Sequence, residues 1–320
     1  MSPYLSRRTA PVAAFALGCM NFGKRTPKAD ALRLVDRALE RGIGLLDTAN
    51  VYQQGESERI VGQAMKGRRD AALIATKVGA GRVGNASEGL SPARVRAACD
   101  ESLKRLGIDA IDLYYLHVPD PLTPPEATLE AVAGLLAAGK IRHWGVSNYA
   151  SWQILRWKQL AAAAGIPGPV VAQQLYNPLI RQLDVEYFAF AQSFPIHTTI
   201  YNPLAGGLLA GFHQADADPD RGSRFDNNVM YRRRYWRPAM FAAVEKLRAV
   251  AASEGLSLLA LAYAFVLRHP GVDSVLVGPA TADHLDAALA ALDVTLSDAA
   301  TRAVRDVYVD LVGTDASYAR

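Results

Sequence analysis

Residues 91–148 read SPARVRAACDESLKRLGIDAIDLYYLHVPDPLTPPEATLEAVAGLLAAGKIRHWGVSN, and this stretch decides the fold. Ser91 is a helix-cap residue with Pro92 at the first helical position. Apolar residues then recur at a period near 3.6 through Ala98 to Leu106, and Gly107 stops the pattern. A short apolar run follows at 111–117, then a second helical pattern over 127–138, then a second short run at 143–147. Two buried strands separated by a helix pair parallel, because a parallel neighbour needs a crossover of a dozen or more residues.

The same alternation extends in both directions. Strands are expected at 15–18, 44–47, 73–77, 111–117, 143–147, 170–174, 197–201 and 274–277. Further helices are expected at 28–41, 56–65, 151–164, 184–193, 239–254, 257–268 and 283–292, with a last one after Ser297. Eight strands alternating with helices select a closed (β/α)8 TIM barrel over an open doubly wound sheet. The 320 residues are therefore read as a single α/β domain, 1–320, since no linker or low-complexity tract divides them. Such a barrel needs ~250 residues. The surplus falls in a long loop from Gly206 to Arg237 and in the helix and tail after Ser297. Within that loop, 214–237 shows no strand or helix pattern of its own, and so long a loop is usually functional or disordered.

Half of the residues are hydrophobic and 21% are charged, which excludes a disordered chain. The net charge of +4 comes from dispersed basic residues. One cluster stands out, Arg232, Arg233 and Arg234, flanked by Tyr231, Tyr235 and Trp236, and it reads as a local anion site; no nucleic-acid partner is expected without a basic face. Cys19 and Cys99 form no CxxC, which points to a reducing, cytoplasmic compartment, and no metal is expected. Arg7 and Arg8 before the apolar run 10–20 imitate a secretory leader, but Pro11 interrupts it and no small-x-small cleavage site follows. That run is read as an opening strand ending at Gly18. No stretch reaches ~18 apolar residues, so no membrane span is expected.

Two glycine-rich motifs are set aside. GAGRVG at 79–84 fits GxGxxG after a strand, yet the next helix waits until Ser91, so the phosphate-binding helix N-terminus is missing. Residues 134–141 approximate a P-loop, but Ile141 stands where Ser or Thr is required and a helix precedes it. The first is read as a plain loop and the second as a helix C-cap.

Barrel enzymes place their chemistry at the C-terminal ends of the strands. Here those ends carry Asp47, Lys77, His117, Ser147 with Asn148, Gln173 and Tyr201. Six consecutive strands delivering an ionisable, hydroxyl or amide group to one rim is more than turn chemistry requires. Tyr52 lies five residues beyond Asp47 in DTANVYQQGESE. Near Lys77 its phenol is expected to have a lowered pKa, with Asp47 placing the lysine. A phenol so tuned can give a proton to a carbonyl as hydride arrives at carbon, and His117 can orient the carbonyl oxygen.

DTANVY with Asp47 and Tyr52, LIATKV with Lys77, IDLYYLH with His117, and GKIRHWGVSN closely resemble the aldo-keto reductase superfamily. The resemblance runs from LGCMNFG near residue 17 to VGPATADHL near residue 285. It implies a barrel that binds NADP(H) in extended form and reduces a small carbonyl substrate, with Tyr52 as general acid, Lys77 and Asp47 tuning it, and His117 orienting substrate. It also implies that Ser147, Asn148 and Gln173 hold the nicotinamide carboxamide and that Tyr201 stacks on the nicotinamide ring. YNPLAGGLLAG supplies Asn202, Pro203, Leu204, Gly206, Gly207 and Leu208, whose backbone can approach a pyrophosphate; spacing alone reads the two glycines equally well as a tight turn.

One departure concerns the cofactor. After Gly278 many relatives carry charged and amide residues for the adenosine 2′-phosphate, whereas this chain has Pro279, Ala280, Thr281, His284 and Ala288. NADPH is expected, with Arg224 and His284 as its phosphate partners and NADH as the alternative. YNPLAGGLL, RF, MYRRRYW and the terminal SYAR resemble the branch of aflatoxin aldehyde and succinic semialdehyde reductases. That branch often forms dimers, and its loop arginines meet acidic or dicarbonyl substrates. Arg232 and Arg320 are the positions carried over for a substrate carboxylate, the alternative being a solvated basic loop. Other readings are a redox-sensing regulatory subunit with little turnover, as in relatives that partner potassium channels, and a Schiff-base aldolase using Lys77.

Overall fold

The computed structural model describes residues 15–314. Eight strands form the barrel: β1 (Phe15–Gly18), β2 (Leu45–Asp47), β3 (Leu73–Val78), β4 (Ile111–Leu116), β5 (Ile141–Ser147), β6 (Val171–Leu175), β7 (His197–Tyr201) and β8 (Ser274–Val277). All pair parallel and close in the order β1–β8–β7–β6–β5–β4–β3–β2. The barrel interior is filled by Ala16, Leu45, Leu113, Tyr115, Val171 and Leu276, so it is a packed core and not a pore. A larger apolar layer lies between the strands and the helices around them.

The helices form where the sequence supplies period and caps. α3 (Pro92–Leu106) starts with the Ser91 side chain accepting from the Arg94 N–H, buries Val95, Ala98, Cys99, Ser102 and Leu106, and ends on Gly107 at φ 65°. The other helices that bear on the site are α2 (Glu56–Ala64), α7 (Val229–Tyr235), α8 (Pro238–Ser253) and α10 (Ala282–Ala290), numbered in chain order. α2 and α3 approach closely because Gly62 carries no side chain: a Cβ there would stand 2.3 Å from the Leu106 carbonyl oxygen.

The segment 214–237 departs from expectation. Its second half forms α7, with the Asn228 side chain accepting from the Tyr231 N–H. The signal was an asparagine cap, obscured because the helix buries tyrosines in place of the usual aliphatic stripe. The helix expected at 184–193 is also shorter: a 3-10 turn, Gln182–Asp184, precedes a helix over Tyr187–Ser193.

Candidate active site

Asp47 ends β2 and pairs in register with Gly18 and Ala75, the latter two residues before Lys77 on β3. The Lys77 ammonium, fully buried, donates to Asp47 Oδ1 and, at 2.8 Å, to the Thr48 carbonyl oxygen. Asp47 Oδ2 accepts from the Gln173 amide at 2.9 Å. Both carboxylate oxygens are thus partnered, which is what a buried ion pair requires to offset its desolvation. Burial disfavours the ammonium, but Asp47 and the neighbouring Tyr52 outweigh it and hold the Lys77 pKa above its ordinary value. A lysine so charged is a poor nucleophile, which argues against an aldolase.

Tyr52 opens a short 3-10 turn, Tyr52–Gly55. Lys77 Nζ lies 5.1 Å from its ring centroid, and the His117 ring meets it edge-on at 5.9 Å. The expected lowering of the phenol's pKa is corrected: burial raises it, and the charge of Lys77 opposes the rise without reversing it. The phenol is therefore protonated at neutral pH. His117 follows β4; burial, and then the charge of Lys77, push its pKa down to about 3, so the imidazole is neutral. Its Nδ1 is buried without a hydrogen-bond partner.

The remaining strand ends close the rim. Asn148, at φ 66°, donates to the His117 carbonyl oxygen at 2.9 Å and to Ser147 Oγ at 3.1 Å, while its Oδ1 accepts from the Tyr201 hydroxyl at 2.5 Å. Beyond Tyr201, Asn202 Oδ1 accepts from the Gly206 N–H and Asn202 Nδ2 donates to the Tyr235 hydroxyl at 2.7 Å. Pro203 and Leu208 are buried and Leu204 packs against the core. Gly206 (φ 73°) has no room for a Cβ, which would stand 2.8 Å from the Tyr231 ring; Gly207 takes φ 108°. These two glycines make a tight turn beneath the loop aromatics.

On the far side of the rim, Gly278 accepts from the Asn21 amide, and the Thr281 side chain caps α10 by accepting from the His284 N–H. The His284 side chain is exposed. Arg224 donates to Asn21 Oδ1 at 3.0 Å and reaches Met20 Sδ. Arg25 donates to the carbonyls of Gly222, at 2.8 Å, and Ser223. Burial, and then the charge of Arg224, push Arg25 down to about 10. Neither guanidinium forms a salt bridge among the described residues: their hydrogen-bond acceptors are neutral, and the Asp226 carboxylate acts on Arg25 only from beyond bridging distance.

The aldo/keto reductase family model matches residues 14–309. The chain belongs to this family. Among its relatives is an aflatoxin B1 aldehyde reductase member 2 from Homo sapiens, 36% identical, covering 90% of this chain and 84% of that protein. The human aldo-keto reductase family 7 member A3 is 34% identical over 92% of each chain. A probable voltage-gated potassium channel subunit beta from Oryza sativa subsp. japonica is 30% identical over 91% of this chain and 90% of its own.

Within this aldo/keto reductase the loop arginines differ in their surroundings. Arg232 is exposed, and its Nε donates to the Phe225 carbonyl oxygen at 2.9 Å. Arg234 is the residue whose charge reaches the rim: burial pushes the Tyr201 phenol up to about 12, and Arg234 opposes that rise. Arg320 lies outside the described residues. The GxGxxG segment has an internal partner, since the Glu88 carboxylate accepts the N–H groups of Gly79, at 2.8 Å, and Gly81, at 3.0 Å. A protein anion thus takes the backbone donors a phosphate would need. Glu88 also accepts from Asn50, two residues before Tyr52, and was not singled out from sequence. Arg25 was missed too; it adjoins Lys24 in an otherwise neutral loop, and that was its only signal.

Proposed function

We propose that this oxidoreductase reduces aldehydes to alcohols, with Tyr52 as general acid. The supporting observation is the protonated Tyr52 phenol beside a charged, buried Lys77 and a neutral His117. A nicotinamide dinucleotide, when bound, supplies hydride to the carbonyl carbon. Tyr52 gives its proton to the carbonyl oxygen, and the charge of Lys77 eases the build-up of phenolate. Asp47 keeps that lysine in place, and Gln173 keeps Asp47 in place. His117, being neutral, donates one hydrogen bond to the same oxygen without competing as an acid.

The residues fit such a cofactor. Ser147, Asn148 and Gln173 would hold its carboxamide and Tyr201 its ring, and the turn 202–208, whose Gly206 and Gly207 N–H groups are given to Asn202 Oδ1 and the Leu204 carbonyl oxygen, would let its pyrophosphate approach closely for want of side chains. The facing pair Arg25 and Arg224, uncompensated by any carboxylate bridge, suits a phosphate group and favours NADP(H) despite the neutral residues after Gly278. Acidic or dicarbonyl aldehydes fit the cationic loop, in which Arg234 acts on Tyr201 and joins Arg232 as a candidate for a substrate carboxylate.

The test is Tyr52→Phe, assayed by oxidation of NADPH and of NADH against aromatic aldehydes, dicarbonyls and semialdehydes. Turnover should fall by about 10²–10⁴, the usual contribution of a positioned acid, while the cofactor Kd stays unchanged. Substantial residual turnover would sink Tyr52 as the acid, and a higher wild-type kcat/KM with NADH would overturn the cofactor. The likeness to a potassium channel subunit supports a second reading, a regulatory subunit that keeps its cofactor. Negligible wild-type turnover together with cofactor retained through purification would favour it.

A further inference from the structure

Behind the barrel wall lies a second buried ion pair that the chemistry above does not use. Glu58 is fully buried on α2, and Arg105, near the end of α3, donates its Nε to Glu58 Oε2 at 2.5 Å. The other oxygen, Oε1, accepts from the Thr76 hydroxyl at 2.6 Å. Thr76 immediately precedes Lys77 on β3, and strand alternation sends Lys77 to the barrel interior and Thr76 toward α2. One carboxylate therefore grips the lysine's strand from outside.

The arginine grips the tyrosine's turn. Its side chain lies across Gly55, where an added Cβ would stand 2.5 Å from Arg105 Cδ and 2.7 Å from Nε. Gly55 closes the turn that Tyr52 opens, and Gln53, Gln54 and Gly55 are all left-handed, at φ 49°, 55° and 85°. Two consecutive non-glycine residues in that region are costly, so the turn relaxes unless its surroundings hold it. Past Gly55 a second tie exists: the Ser57 hydroxyl meets Thr48 Oγ at 2.7 Å and the Cys19 carbonyl oxygen at 2.8 Å. On the face of Gly55 itself the contact is Arg105.

We propose that the Glu58–Arg105 pair is the positioning device that sets Tyr52 against Lys77, Glu58 acting through Thr76 and Arg105 through Gly55. Both partners are directional, which suits a placing role better than a stabilising one. The proposal rests on Tyr52 being the acid.

Two variants test it. Glu58→Gln with Arg105→Met in one chain leaves no unpaired charge, and Arg105→Lys keeps the charge but withdraws the planar group from Gly55. In each, kcat, the pH profile of reduction, the NADPH Kd by fluorescence quenching and the thermal melt are measured. The double variant is expected to lose at least tenfold in kcat, and Arg105→Lys less, with the NADPH Kd within twofold of wild type. The alkaline limb of kcat/KM moves from its wild-type position, because the Tyr52 pKa is set first by burial and then by the opposed influences of Lys77 and of Asp47 and Tyr231, and a phenol that drifts changes that balance. A lowered melt with kcat and the alkaline limb unchanged would reduce the pair to a fold-stabilising role and overturn the proposal. If the double variant does not fold, Arg105→Lys decides by the same readouts. Tyr52→Phe separates the two layers. Retained turnover there sinks the acid and the positioning together, whereas lost turnover there with wild-type behaviour in a folded pair variant sinks the positioning alone.

Discussion

The rim built from the ends of β2, β3, β4 and β6 and the segment between β7 and α8 adjoin each other at Tyr201, but different forces hold them. On the rim, Asp47, Lys77 and Gln173 are buried and joined by directional hydrogen bonds between strands. In the loop segment, Phe225 sits amid the rings of His213, Tyr231, Tyr235 and Trp236, at centroid distances of 4.8–6.4 Å. Each such contact contributes about 0.5–1.5 kcal/mol beyond area burial and tolerates repacking. An ion pair in a barrel wall has no such tolerance. Under the proposed function the difference separates tasks: the rigid strands would fix the reacting groups, and the adaptable aromatic loop would choose what they act on.

The largest expected break is on the rim. Lys77→Met leaves the Asp47 carboxylate buried without its cation, which should lower stability by about 3–5 kcal/mol in chemical denaturation and abolish turnover in the molecules that remain folded. A change below about 1 kcal/mol would mean that Gln173 alone satisfies Asp47. In the loop a smaller effect is expected. Arg234→Ala should raise KM for succinic semialdehyde roughly tenfold, the scale of one charge-assisted hydrogen bond, and leave an uncharged aldehyde of similar size unaffected. Arg232→Ala should raise it less; the reverse result would show that α7 presents its other side to the rim.

The smallest effect sharpens the comparison by its flatness. With His117 pushed down to about 3, the rate of reduction should show no inflection near the ordinary histidine value of about 6.5. Tyr52 donates only while protonated and its pKa is raised, so activity should persist through neutral pH and decline only as the pH climbs through that raised value. An inflection near neutrality that disappears in His117→Gln would show that the imidazole carries charge in the working enzyme.

How much of this was legible follows from distance along the chain. Asp47, Lys77, His117, Ser147 and Gln173 could be picked out because each ends a short apolar run, and a strand end is a local property. Tyr52 could be picked out because a turn of a few residues cannot carry it far from Asp47. Glu58 left a weak mark, a charged residue on the helix face that also buries Ser57, Ile60, Val61 and Ala64. Its partner Arg105 lies 47 residues away, and no periodicity joins them. The choice between Arg232 and Arg234 depended on how α7 rotates onto the core, which Tyr231 and Tyr235 decide by burying themselves one helical turn apart.

Local sequence specifies the parallel barrel and the polar rim at its strand ends, because strand and helix periods and their caps are written over a few residues at a time. The directions in which the pKa values of Tyr52 and His117 move, the partner of Glu58 and the arginine that acts on Tyr201 come from the tertiary structure. Burial and electrostatic contact depend on which distant segments meet, and only the closed barrel with its helices brings those segments together.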